Sequence, residues 1–130
     1  NNLNGASDTI IAYCFANTDG YIKSGSYVGN GNADGTFLYT GFKPAWFMIK
    51  DVSNSNNWIL YDAQREPYNV MDSYLNPDTA GAEESGSIAE IDFLSNGVKM
   101  RTGHVAFSGS GRTYVYLAFA ENPFKYATAR

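Results

Sequence analysis

Ile91-Asp92-Phe93-Leu94-Ser95-Asn96-Gly97-Val98-Lys99-Met100-Arg101 is the stretch that decides the fold class. Two short runs of mostly apolar residues flank the dipeptide Asn96-Gly97. Asn-Gly readily adopts the positive φ angles of a type I′ turn, the turn whose twist suits two antiparallel strands. The stretch therefore predicts a β-hairpin that reverses at Asn96 and Gly97.

Outward from the hairpin, the same signals recur. Arg112-Thr113-Tyr114-Val115-Tyr116-Leu117-Ala118-Phe119-Ala120 follows the flexible Ser108-Gly109-Ser110-Gly111 and is dense in aromatic and β-branched residues, which predicts a long strand. Ala45-Trp46-Phe47-Met48-Ile49 and Trp58-Ile59-Leu60-Tyr61 read as two strands buried on both faces, joined by the polar loop 51–57. Gly35-Thr36-Phe37-Leu38-Tyr39 is a weaker strand signal, and residues 64–87, with Pro67, Pro77, Gly81 and Gly86, read as an extended excursion with one helical turn. Ile10-Ile11-Ala12-Tyr13-Cys14-Phe15-Ala16 reads as a further apolar strand that holds Cys14 in the core.

Short strands at this spacing, with Gly-rich turns between them, predict an all-β domain. The expected architecture is an antiparallel β-sandwich of jelly-roll or concanavalin (lectin-like) type over residues 1–130. The segments Thr9-Ile10-Ile11-Ala12-Tyr13-Cys14-Phe15-Ala16-Asn17 and Thr113-Tyr114-Val115-Tyr116-Leu117-Ala118-Phe119-Ala120-Glu121 align without gaps, as one unit of a tandem array would.

Composition narrows the function classes. The formal charge is −4, with nine basic residues scattered along the chain. Nucleic-acid binding depends on clustered Lys and Arg, so no such partner is expected. The longest apolar run is far short of the roughly 20 residues of a membrane span. A lone cysteine and a lone histidine make neither an intrachain disulfide nor a zinc site. His104 near Ser108 lacks the orienting acid that a hydrolase needs.

Three further patterns bear on binding. Asn30, Asn32 and Asp34 place side-chain oxygens at alternate positions before Gly35, the opening of a calcium loop, but the later bidentate acid is missing because Gly41 stands there. An Asn/Asp/Gly turn accounts for the same residues. Tyr21, Tyr27, Tyr39, Tyr68 and Tyr74 supply aromatic rings that could act as sugar platforms. The candidate ligand surface combines Tyr27, Asn30, Asn32 and Asp34 with Gln64, Arg65, Tyr68 and Tyr74. With ten Tyr, eight Phe and two Trp, the rings outnumber what one small core holds, so some should line an interface or a ligand surface.

Tyr13-Cys14-Phe15-Ala16, Gly25-Ser26-Tyr27-Val28-Gly29-Asn30-Gly31, Tyr39-Thr40-Gly41-Phe42-Lys43-Pro44-Ala45-Trp46, Trp58-Ile59-Leu60-Tyr61-Asp62 and Ala118-Phe119-Ala120-Glu121-Asn122-Pro123-Phe124-Lys125 together resemble an uncharacterised domain of marine bacteriophage tail and tail-fibre proteins. The resemblance implies an SPRY-like or concanavalin-like sandwich, tandem occurrence and a place on the virion surface. It transfers no catalytic residue. The resulting expectation is a non-enzymatic module of a tail fibre or the capsid that needs no cofactor and serves assembly with other virion subunits, as a homo-oligomer with a trimer favoured, adhesion to a host-surface glycan, or both. The alternatives are a stand-alone carbohydrate-binding lectin and a glycan depolymerase acting through Glu90, Asp92 and Asp62.

Overall fold

Along Thr113–Ala120, Tyr114 and Ala118 are fully buried on one side with the half-buried Tyr116 between them, while the half-buried Val115, Leu117 and Phe119 occupy the alternate positions. This is the period of two that an extended chain imposes on its side chains. The computed structural model describes residues 9–123. Among them are nine strands: β1 (Ile22–Val28), β2 (Phe37–Tyr39), β3 (Pro44–Asp51), β4 (Ile59–Asp62), β5 (Ser73–Tyr74), β6 (Glu84–Ser85), β7 (Ile91–Leu94), β8 (Gly97–Met100) and β9 (Thr113–Ala120). A single 3₁₀ turn, Ser87–Ala89, precedes β7.

The strands form a four-stranded sheet in the order β1-β9-β3-β4, a three-stranded sheet β2-β8-β7 and the small pair β5-β6, all antiparallel. The two larger sheets pack face to face as a β-sandwich. Tyr27, Phe47, Ile49, Tyr61 and Tyr114 from one meet Leu38, Ile91, Phe93, Val98 and Met100 from the other. Phe47 and Phe93 close the layer edge to face at 6.3 Å.

The remaining cover comes from the long connections, and buried tyrosine hydroxyls fasten them. Tyr61 donates to the Ala89 carbonyl at 2.6 Å. Tyr27 donates to the Phe107 carbonyl at 2.5 Å, and its ring stacks on Tyr114 at 4.9 Å. Tyr114 donates to the Val105 carbonyl and accepts from the Gly109 amide. A buried ring that also satisfies a loop carbonyl makes the loop part of the core.

Several expectations change. The hairpin forms, but Leu94 pairs with Gly97, so Ser95 and Asn96 are the turn residues and Gly97 is the first residue of β8. Gly97 is needed for close approach instead: a Cβ there would lie 2.1 Å from the Leu38 carbonyl oxygen of β2. The runs 45–49 and 58–61 are buried on one face only, the other being half-exposed. Residues 10–16 form no strand, and Cys14 is exposed. Strand β1, with its polar sequence Ile-Lys-Ser-Gly-Ser-Tyr-Val, carried too weak an apolar pattern to stand out.

Candidate functional site

The four-stranded sheet has an outer face that departs from the usual alternation of apolar inside and polar outside. Cross-strand pairing aligns Met48 with Leu60 and with Leu117, and Trp46 with Phe119. On β1, Ile22 lies opposite Phe119 and is 5 % exposed, though it belongs to no part of the inter-sheet core. Trp46 meets the Phe119 ring edge-on at 5.3 Å, and Tyr21 also meets it edge-on at 6.1 Å.

Residues 10–16 run beside this face without strand pairing. Phe15 touches Phe119 edge-on at 5.9 Å, while Tyr13 is 82 % exposed. Asn17 fixes the departure of this segment, because its side-chain amide accepts from the Ser24 amide at 2.6 Å and donates to the Ser24 carbonyl. That side chain takes the place of strand pairing along the open edge of β1. A groove of about 650 Å³ results, walled by Tyr13, Phe15, Trp46, Met48, Trp58 and Leu117.

A second, polar pocket of about 340 Å³ lies where β3 begins and β9 ends, lined by Lys43, Gln64, Glu66, Tyr68, Phe93 and Glu121 among others. Lys43 and Glu121 form an ion pair across it at 3.1 Å.

The family model described as "Domain of unknown function (DUF7483)" matches residues 1–123. The chain belongs to this family. No curated protein and no solved structure matches it.

Within this family member, the expected ligand residues do not converge. Tyr27 and Tyr74 are each 7 % exposed and belong to the core, so neither is a surface platform. Burial, together with a hydrogen bond to Glu84, pushes the Tyr74 hydroxyl up to about 12. Asn30, Asn32 and Asp34 form a surface turn. Asn30 Oδ1 accepts from the Asn32 amide and Asn32 Oδ1 from the Asp34 amide. Asp34 pairs with Lys99 at 2.6 Å, which holds its carboxyl below the ordinary value. Among the described residues no group of three or more His, Cys, Asp or Glu converges as a metal site would require. Arg65 is paired with Glu83. Gln64 and Tyr68 do meet, at the polar pocket.

Two of the three acids considered for glycoside cleavage have structural partners, whereas Glu90 engages Arg101 only through its backbone carbonyl. Asp92 is 4 % exposed and pairs with Arg101, and Asp62 accepts from the Gln64 amide. His104 accepts from the Ala106 amide. The buried Ser108 hydroxyl has no hydrogen-bond partner among the described residues, so the two make no dyad.

The groove residues were visible as strand sequence, but their outward side was not. Alternation in a segment apolar at every position does not say which half faces the core.

Proposed function

We propose that this domain is a non-enzymatic module on the surface of a virus particle that packs the outer face of its four-stranded sheet against other subunits, foremost copies of itself. One observation carries the assembly reading: Trp46, Met48, Leu117 and Phe119 form a half-buried apolar patch on a sheet face over which, among the described residues, no second sheet packs and only the segment of Tyr13 and Phe15 lies alongside. Such a patch rimmed by polar surface is the property of a contact surface. The place in the particle is supported by the resemblance of the chain's motifs to marine bacteriophage tail and tail-fibre proteins. A homo-oligomer, with a trimer favoured, gives the surplus rings a buried position by symmetry. The structural engagement of Asp62, Asp92 and the His104 region supports a module without catalysis of its own.

Light scattering coupled to size-exclusion chromatography tests the assembly reading. The wild-type chain should associate as concentration rises, and Met48→Glu, which places a charge at the centre of the patch, should remain monomeric with an unchanged circular-dichroism spectrum. A wild-type chain that is strictly monomeric at high concentration would overturn it.

A further inference from the structure

The connection from β4 to β5 carries an exposed tyrosine on a firmly held backbone. Asp62 Oδ1 accepts from the Gln64 amide at 2.8 Å, and the Arg65 and Glu66 amides turn back onto the Asp62 carbonyl. Glu66 Oε2 then accepts from the amides of both Asp72 and Ser73, at 2.9 and 2.8 Å. The Asn69 side chain pairs with Phe93 of β7 on both sides, donating to its carbonyl and accepting from its amide, each at 2.9 Å. Between the Glu66 and Asn69 anchors, Tyr68 is 81 % exposed. A ring presented on a fixed loop gives up little conformational freedom when a ligand stacks on it.

The pocket beside Tyr68 has a matching chemistry. Met71 and Phe93, both buried, form an apolar floor, and Pro67 stands at the wall. Lys43, Gln64 and Glu121 bring donors and acceptors to the rim. The Lys43 and Glu121 charges answer each other, which leaves the Glu66 carboxylate, whose Oε2 already accepts two backbone amides, as the remaining charge of the lining. The Gln64 side-chain amide has no partner among the described residues. The volume of about 340 Å³ sits at the small end of the roughly 300–1,000 Å³ usual for ligand pockets.

We propose that this pocket binds one neutral hexopyranose unit, with an apolar C–H face of the sugar on the Tyr68 ring and hydroxyls bonded to Gln64, Lys43 and Glu121. An apolar ligand would leave the polar rim unsatisfied, and an acidic one would meet the Glu66 and Glu121 carboxylates. The site shares no residue with the apolar groove, so it stands or falls independently of the assembly reading.

Titration of the full chain with glucose, galactose, mannose and N-acetylglucosamine, followed by two-dimensional NMR, tests the proposal. At least one sugar should give saturable shifts confined to residues 43, 64–71, 93 and 121. Tyr68→Ala should weaken that sugar's binding about tenfold, the scale of one lost aromatic contact. Tyr68→Phe should keep most of the affinity, Gln64→Ala should weaken it, and Tyr39→Ala, which removes an exposed ring elsewhere, should change nothing. Absence of saturable shifts with all four sugars overturns the proposal, as does unchanged affinity in Tyr68→Ala.

Discussion

Asp51 shows how a single charged residue is made tolerable inside this domain. It is 1 % exposed at the end of β3, and burial alone would raise its pKa. Its carboxylate nevertheless accepts from the Ser53 amide at 2.8 Å, from Asn54 and Asn56, and from Arg112 at 3.1 Å. Those bonds outweigh burial and hold it below the ordinary value of 3.8. The sign of the pH dependence follows. A group with a depressed folded-state pKa stabilises the fold fully above its unfolded value, and that contribution is lost as pH falls through the folded value. Urea denaturation across acid pH should show this loss beginning near pH 3.8. Asp51→Asn should be less stable at neutral pH by about 1–3 kcal/mol, with a flatter acid limb. An acid limb as steep as wild type would assign the loss to other carboxylates.

Between elements, the fit of β2 against β8 depends on a missing side chain. At Gly97 the Leu38 carbonyl and the Phe37 ring occupy the space that any Cβ would take, at 2.1 and 2.8 Å. The strand carbonyl has no freedom to move aside without breaking the β2–β8 ladder. Gly97→Ala should therefore destabilise the domain by about 3 kcal/mol, the upper part of the range for overpacking, measured as a shift in the urea midpoint. The intended comparison is Ser95→Ala, whose exposed turn position should leave stability within about 0.5 kcal/mol. A mild Gly97→Ala phenotype would mean that β2 is dispensable to the three-stranded sheet.

For the molecule as a whole, the sandwich has two unlike surfaces: an apolar sheet face and a polar loop edge. The association proposed through the former rests on removal of apolar area from water, which salt screening does not weaken. The proposed oligomer should persist at about 1 M NaCl, where charge interactions are screened within about 3 Å. The exposed Cys14 lies between the groove residues Tyr13 and Phe15. Its labelling by a thiol reagent should be fast in Met48→Glu and slower in concentrated wild type. Equal rates in the two would place the interface elsewhere.

The sequence by itself determined the all-β class, the long strand ending at Ala120, the strand pair around the loop 51–57 and the hairpin after Ile91, because apolar runs and turn dipeptides act over a few residues. It also marked Gln64 and Tyr68 as ligand candidates. Only the tertiary structure decided which way the rings face. Tyr27 and Tyr74 went inward because their partners, Tyr114, Phe107 and Tyr61, come from distant parts of the chain. Residues 10–16 read as a core strand because their apolar content matches that of β9. Strand formation also needs a free ladder to join, and beside β1 the Asn17 side chain already holds Ser24. The role of Gly97 was legible as a glycine near a turn, whereas its reason, the Leu38 carbonyl of another strand, is a long-range contact that no local pattern encodes.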